Sequence, residues 1–307
     1  MSPRIKTTST TSGDAIVARL FKRFEGVISP ESMALTYRLF DKPLDDPAHR
    51  GDGYCDGSHY TYRGDAAFYP ASVCKLFYAV AAYAWEKAGR IDLDHEDRRA
   101  LREMIRYSSN EATCYVLGRL TDTENGRVLD DEAMQDWWQK RQVVQAFYDT
   151  WDNEAFTGLR LWHGTYEDSP YGREHAVRQH GGNRMSPLAA ATMMQEIIMG
   201  RAVSASASAL IRDDLCRDRE RAAPNGPETL PDQVVGFVSQ DVPSSIRIWS
   251  KAGLTAQTRH DVAYFQSESG ASCIAAIFTS GLAAAANEDV LPAFGREIAG
   301  LLGAHDD

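Results

Sequence analysis

The sequence lacks the segments by which a chain enters or crosses a membrane. It has no run of about 18 apolar residues, so we expect no transmembrane helix and no membrane partner. Residues 1–24 carry no uninterrupted apolar core of the kind that a signal peptide needs. We therefore predict a cytoplasmic protein.

Paired cysteines and an excess of basic residues are also lacking. The five cysteines form no C-x-x-C pair, so we predict reduced thiols, no metal site and no cofactor. They are Cys55, Cys74, Cys114, Cys216 and Cys273.

Lys and Arg number 33 against 43 Asp and Glu, and the net charge is −10. Nucleic acids need basic patches, so we expect no nucleic-acid partner.

The chain does contain enough apolar material for a large core. Its hydrophobic content is 43% over 307 residues. Residue periodicity places strands near both ends and helices in the middle. The predicted helices cover residues 14–27, 71–88, 94–108, 110–120, 186–200 and 287–303, with mostly helical structure over 130–160. The predicted strands cover residues 32–41, 59–65, 245–253, 259–267 and 272–280.

This order predicts an α/β (α+β) fold in which one sheet is built from both termini and a helical lobe is inserted between its strands. The α/β domain would comprise residues 14–70 and 186–303. Residues 71–185 would form the inserted all-helical domain, and residues 1–13 a disordered tail.

A serine and a lysine stand one helical turn apart in the most apolar predicted helix. In "FYPASVCKLFYAVAAYAW" (68–85), Ser72 and Lys75 have the i, i+3 spacing that places two side chains on one helix face. Serine needs an adjacent base to act as a nucleophile, and burial lowers the pKa of a lysine enough for it to accept a proton. Alternatively, Lys75 reaches the surface and Ser72 caps the helix.

Two later motifs favour the catalytic interpretation. Residues 108–110 read S-S-N between two predicted helices, and residues 251–253 read K-A-G on a predicted strand. With S-x-x-K, this order resembles the serine β-lactamase and penicillin-binding protein superfamily, most nearly class A, whose motifs are S-x-x-K, S-D-N and K-T-G. The resemblance extends over residues 15–303 and implies an antiparallel, transpeptidase-like sheet flanked by helices.

The resemblance implies four groups for acyl transfer. Ser72 matches the nucleophile and Lys75 its base. Ser108 matches the serine that passes a proton to the leaving group. The main-chain N–H groups of Ser72 and Leu254 match the oxyanion hole.

It also implies substrate-binding residues. Asn110 matches the residue that binds an amide of the substrate. Lys251 and Arg259 match cations that hold a substrate carboxylate. Gly253 would let the substrate approach the edge of the strand.

Departures from the family pattern occur at three places. Ser109 replaces the motif aspartate, and Ala252 replaces a hydroxyl-bearing residue that helps to bind carboxylate. The long polar segment 163–185 lacks the E-x-x-L-N of class A, whose glutamate activates the deacylating water. Glu167 is our first choice for that base, ahead of Asp168 and Glu174, although each could be a solvated loop carboxylate.

Other candidates have simpler explanations. His163, His175 and His180 fit no standard zinc spacing, so we interpret them as surface residues. Cys74 is expected to face away from Ser72 and pack in the core. The tryptophans at 137, 138 and 151 would either line a pocket or pack in the core.

The sequence therefore predicts a serine hydrolase that cleaves an amide, ester or lactam through an acyl-serine. Its expected substrate is a non-standard intracellular small molecule with a carbonyl and a carboxylate. Three alternatives are a class A-type β-lactamase with a relocated base, a biosynthetic acyltransferase, and a non-catalytic ligand-binding descendant.

Overall fold

The computed structural model describes residues 10–46, 58–167, 170–217 and 233–303. These ranges contain the strands β1 (Met33–Phe40), β2 (Ser58–Tyr62), β3 (Ile246–Thr255), β4 (Thr258–Ser267) and β5 (Ser272–Ser280). The helices are α1 (Thr10–Arg23), α2 (Lys75–Lys87), α3 (His95–Arg106), α4 (Asn110–Thr121), α5 (Asp131–Arg141), α6 (Val143–Asp149), α7 (Gly172–Val177), α8 (Pro187–Ile198), α9 (Ala205–Leu215), α10 (Leu282–Ala286) and α11 (Val290–Leu301).

The five strands form one antiparallel sheet in the order β2-β1-β5-β4-β3. Strands from both ends of the chain meet where β1 pairs with β5. The predicted fold class is confirmed. Among the described strands, β3 lies at an edge, and this edge carries residues 251–254.

Each face of the sheet packs on its own hydrophobic core. The strands of the C-terminal third are therefore apolar on both faces, and this makes them easy to recognise in the sequence. Successive residues of a strand point to opposite faces. Tyr264 packs in the core shared with α2 and α8, and Phe265 packs in the core shared with α1 and α11. The inserted helices continue the first core away from the sheet.

Some boundaries differ from prediction. Residues 10–13 belong to α1, so the predicted tail is wrong there, and residues 1–9 lie outside the described residues. The helix α9 was not predicted. It begins within the Ser-Ala repeat and is capped by Ser204, whose side chain accepts from Ala207 N–H. The short helix α7 lies in a segment predicted as loop. The division at residues 71 and 185 stays a prediction.

Within the ranges that the structure describes, no helix is both long and apolar enough to cross a bilayer.

Candidate active site

The turn that carries Ser72 is held against the edge strand. A 3₁₀ turn (Ala71–Cys74) leads directly into α2, and Ala71 has a positive φ of 47°. Such a conformation costs about 1–3 kcal/mol for a non-glycine residue and persists only where its surroundings impose it. A Cβ on Gly253 would lie 2.8 Å from Pro70 O, so only glycine allows β3 to approach this turn so closely.

A buried histidine fixes the other side of the turn. Thr279 N–H donates to His260 Nδ1 at 3.1 Å, so the ring proton lies on Nε2, which donates to Tyr69 O at 2.9 Å. Burial lowers the pKa of His260 to about 4, so the ring is neutral at ordinary pH. No sequence motif indicated this contact, because it joins residues far apart in the chain.

Lys75 is buried and points at the turn between α3 and α4. Its Nζ donates to Asn110 Oδ1 at 2.9 Å, to Ser108 Oγ at 3.2 Å and to the main-chain oxygen of Ser108. The alternative in which Lys75 reaches the surface is therefore wrong, since its exposed fraction is 0%. Ser109 caps α4 by accepting from Ala112 N–H at 3.1 Å, a role that does not need an aspartate.

Lys251 reaches the same serine from the edge strand. Its Nζ donates to Ser108 Oγ at 2.8 Å, to Gln233 Oε1 at 2.8 Å and to Ala252 O at 2.9 Å. Ser108, with a positive φ of 60°, thus lies between two lysines. Gln233 was not predicted as a site residue, because it lies in no motif and reaches Lys251 and Ala252 only in the folded chain.

Both lysines titrate below their ordinary range. Burial, opposed by weaker attraction to thiols and carboxylates nearby, lowers the pKa of Lys75 to about 8. Burial and the positive charges of Lys75 and Arg217 hold the pKa of Lys251 well below its usual value. A lysine with a lowered pKa loses its proton closer to neutral pH, and its neutral form can accept a proton.

Of the three loop carboxylates, Glu167 reaches this cluster. Its Oε1 accepts from Asn110 Nδ2 at 2.6 Å, and its side chain is exposed. Asp168 lies outside the described residues. Glu174 is not solvated as expected. It is fully buried and paired with Arg141, which places it in the loop support and not at Ser72.

The start of the loop after residue 162 is held by hydrogen bonds to Asn183. Asn183 Oδ1 accepts from the N–H groups of Trp162 and His163, and Asn183 N–H donates to His163 Nε2 at 3.0 Å. His163 is buried, so its interpretation as a surface residue is wrong, whereas His175 and His180 are exposed. The part of the chain that the structure describes holds no group of three His, Cys, Asp or Glu side chains that could bind a metal.

We expect the buried Arg141–Glu174 ion pair to contribute strongly to the free energy of unfolding. Arg141→Met would leave the Glu174 carboxylate buried without its partner, which costs about 3–5 kcal/mol of unfolding free energy. Urea denaturation measures this loss. Arg99→Met, which breaks an exposed pair with Glu96, is the matched control and should barely move the midpoint. Equal midpoints for the two variants would contradict this assignment.

A cavity of about 720 Å³ opens beside Ser72. It is lined by residues of the serine turn, the S-S-N turn, the loop, the segment before β3, β3, the β3–β4 turn, β4 and α10. The predicted site residues among them are Ser72, Ser108, Asn110, Glu167, Leu254 and Arg259. Lys75 and Lys251 lie behind its wall, each with an exposed fraction of 0%.

None of the three tryptophans at 137, 138 and 151 lines this cavity. Trp137 and Trp151 pack among core residues, and Trp138 stacks on His180.

Comparison with known proteins agrees with this architecture. The model of the β-lactamase enzyme family matches residues 97–302, and the chain belongs to this family. It is accordingly a serine hydrolase of the β-lactamase-like superfamily. Comparison with curated protein sequences found no match.

Solved structures show the same fold at low sequence identity. A β-lactamase from Sphaerobacter thermophilus is 16% identical, with a TM-score of 0.64, over 96% of this chain and 99% of that one. A mutant of PBP-A, solved as an acyl-enzyme complex with penicillin G, is 16% identical with a TM-score of 0.63, over 98% and 99%. A β-lactamase from Desulfarculus baarsii is 18% identical with a TM-score of 0.61, over 97% and 100%.

Proposed function

We propose that this protein cleaves a small amide, ester or lactam through an acyl intermediate on Ser72. The observation that carries the proposal is the buried Lys75, one helical turn after Ser72, with a pKa of about 8 and a hydrogen bond to Ser108. In this proposal Ser72 is the nucleophile, Lys75 is its base, and Ser108 passes the proton on beside one wall of the cavity.

In the proposed acylation step, Ser72 Oγ bonds to the substrate carbonyl carbon while its proton passes to neutral Lys75. The tetrahedral oxygen would accept from the N–H groups of Ser72 and Leu254, a form of stabilisation worth about 2.7–4 kcal/mol per donor. The carbon–nitrogen or carbon–oxygen bond then breaks. The leaving atom takes a proton through Ser108, which contacts both lysines.

In the proposed deacylation step, a water bonds to the acyl carbon while Glu167 takes its proton. The bond from this carbon to Ser72 Oγ then breaks, and the proton held by Glu167 returns to Ser72. The hydrogen bond from Asn110 to Glu167 supports this choice, because Asn110 also contacts Lys75. The same contact favours a β-lactamase with a relocated base as the second candidate. The PBP-A mutant forms an acyl-enzyme with penicillin G, which makes penicillins reasonable probes here.

Intact-mass spectrometry over time separates the candidates. A lasting adduct with penicillin G or a fluorophosphonate supports an acyl hydrolase with another natural substrate or an acyltransferase. Rapid turnover of penicillin without a lasting adduct supports a β-lactamase. If neither probe adds to the protein and penicillin is not consumed, the result supports the non-catalytic alternative.

The acylation rate should depend on pH through Lys75. Burial places its folded-state pKa, about 8, below the ordinary value for lysine, so the neutral base is lost as pH falls through about 8. We expect the rate to drop about tenfold per pH unit below this midpoint and to level off above it. The midpoint belongs to the coupled pair of lysines, because both contact Ser108 Oγ.

Stopped-flow acylation by a chromogenic cephalosporin from pH 5.5 to pH 9.5 measures this dependence. Lys75→Arg keeps the charge but cannot act as a base, so it should be slow throughout and show no acidic limb. A wild-type rate that does not change over this range would refute the role of Lys75.

A further inference from the structure

The side chain of Gln233 joins the end of α3 to the edge strand β3. The last carbonyl groups of a helix have no partner within the helix and need donors from elsewhere. At the end of α3, Gln233 Nε2 donates to Arg106 O at 2.7 Å and to Ile105 O at 3.3 Å. Its Oε1 accepts from Lys251 Nζ at 2.8 Å and from Ala252 N–H at 3.1 Å. One amide therefore contacts two groups of the helix end and two groups of the strand.

These four contacts fix the orientation of the Gln233 amide. Carbonyl oxygens only accept hydrogen bonds and main-chain N–H groups only donate them, so a reversed amide would place like groups against each other at both ends. Gln233 lines the cavity, yet its exposed fraction is only 4%. Its side chain is thus held by buried hydrogen bonds on one wall of the site.

A second side chain joins the same two elements. Arg217 Nη1 donates to Arg106 O at 3.1 Å, and its Nη2 donates to Ser250 O at 2.5 Å. Arg217 therefore supports the distance between α3 and β3, whereas Gln233 also contacts the amine of Lys251.

Gln233 contacts structures on both sides of Ser108. The carbonyl of Arg106 lies two residues before Ser108, in the helix end that leads into its turn. From the other side, the amine of Lys251 contacts both Gln233 Oε1 and Ser108 Oγ. A change at Gln233 would therefore alter the position of the Lys251 amine relative to the Ser108 hydroxyl.

We infer that Gln233 is a positioning residue for the proton transfer from Ser108 to the leaving group. This inference rests on the proposed acyl-serine chemistry. In that chemistry the proton of Ser72 passes to Lys75, Ser108 takes it from Lys75, and Ser108 gives its own proton to the leaving atom. By holding the Lys251 amine beside Ser108 Oγ, Gln233 fixes the direction in which this hydroxyl points while the bond to the leaving atom breaks.

Two esters of phenylacetic acid with different leaving phenols test the inference. 4-Nitrophenol leaves readily as an anion, whereas phenol, as basic as a tyrosine side chain with a pKa of about 10, leaves faster when it receives a proton. Release of the phenol in a single turnover gives the acylation rate constant. In Gln233→Leu this constant should fall at least about tenfold for the phenyl ester and at most about threefold for the nitrophenyl ester. Equal losses would overturn the inference, because a general disturbance of the site slows both reactions.

Gln195→Leu is the matched control. Gln195 is also a buried glutamine whose Oε1 accepts a hydrogen bond, from Arg38 Nη1 at 2.7 Å, but it does not line the cavity. Its replacement should leave the ratio of the two rate constants unchanged. A change in this ratio as large as that of Gln233→Leu would contradict a specific role of Gln233.

Gln233→Glu tests whether the effect passes through Lys251. It keeps an oxygen that can accept from Lys251 Nζ and Ala252 N–H, so it should restore most of the wild-type ratio. A ratio as low as that of Gln233→Leu would count against positioning of the lysine. If Gln233→Leu does not fold, Gln233→Asn replaces it, because its amide is one methylene too short to reach both Arg106 O and Lys251 Nζ.

Mass spectrometry of the same reactions separates this inference from the proposed function. An acyl group on Ser72 of the wild type, combined with equal losses for the two esters in Gln233→Leu, would leave the acyl-serine chemistry standing and remove the role of Gln233. If neither ester acylates Ser72 of the wild type, both proposals fail.

Discussion

Replacing Ser72 with alanine is expected to abolish covalent labelling by penicillin G and by a fluorophosphonate. The variant lacks the oxygen that bonds to the acyl carbon, so the acylation rate should fall by about 10⁴-fold or more. The stability should change little, because one hydroxyl is lost from a half-buried side chain. Intact mass after one hour with each probe measures the result.

Ser108→Ala is the matched control for this prediction. It removes a hydroxyl that contacts both lysines but leaves the proposed nucleophile, so labelling should become slower and still reach one adduct per chain. Full labelling of Ser72→Ala together with no labelling of Ser108→Ala would identify Ser108 as the nucleophile and contradict our assignment.

Replacing Glu167 with glutamine is expected to trap the acyl-enzyme. Loss of a general base slows the step that it serves by about 10²–10⁴-fold, and our mechanism uses Glu167 only in deacylation. The amide can keep a hydrogen bond with Asn110 if its oxygen faces Asn110 Nδ2. Acylation should therefore proceed at the wild-type rate while hydrolysis stops.

A burst experiment with a chromogenic cephalosporin separates the two steps. The Glu167→Gln variant should give a burst of one equivalent and almost no later turnover. Glu111→Gln is the control, because Glu111 is also an exposed carboxylate near Lys75 but does not line the cavity. Steady turnover by Glu167→Gln at the wild-type rate would remove Glu167 from the mechanism.

The fold was largely predictable because its signals are local. Alternation of residues along β4 separates Tyr264 from Phe265 onto two cores, and such alternation marks a strand in the sequence. Pro187 and Ser186 mark the start of α8 in the same way. The helix α9 was missed because its first turns consist of alternating Ser and Ala, which carry little apolar periodicity.

Residues of the candidate site that belong to short motifs could be predicted from the sequence. Residues that reach the site from distant segments could not. Lys75 and Ser108 stand in recognisable spacings, and the structure brings their side chains into contact. The burial of Glu174 depends on Arg141, 33 residues earlier, so the loop sequence could not show it. Gln233 reaches Lys251 only through folding, and its position outside any motif gave no signal.

Peptide mapping of the labelled wild-type protein tests the central claim most directly. After reaction with a fluorophosphonate, proteolysis and tandem mass spectrometry locate the adduct on a single residue. Ser72 and Ser108 both line the cavity and belong to well-separated peptides, so the method can distinguish them. Our account predicts one adduct, on Ser72. An adduct on Ser108, or no adduct on either serine, would contradict it.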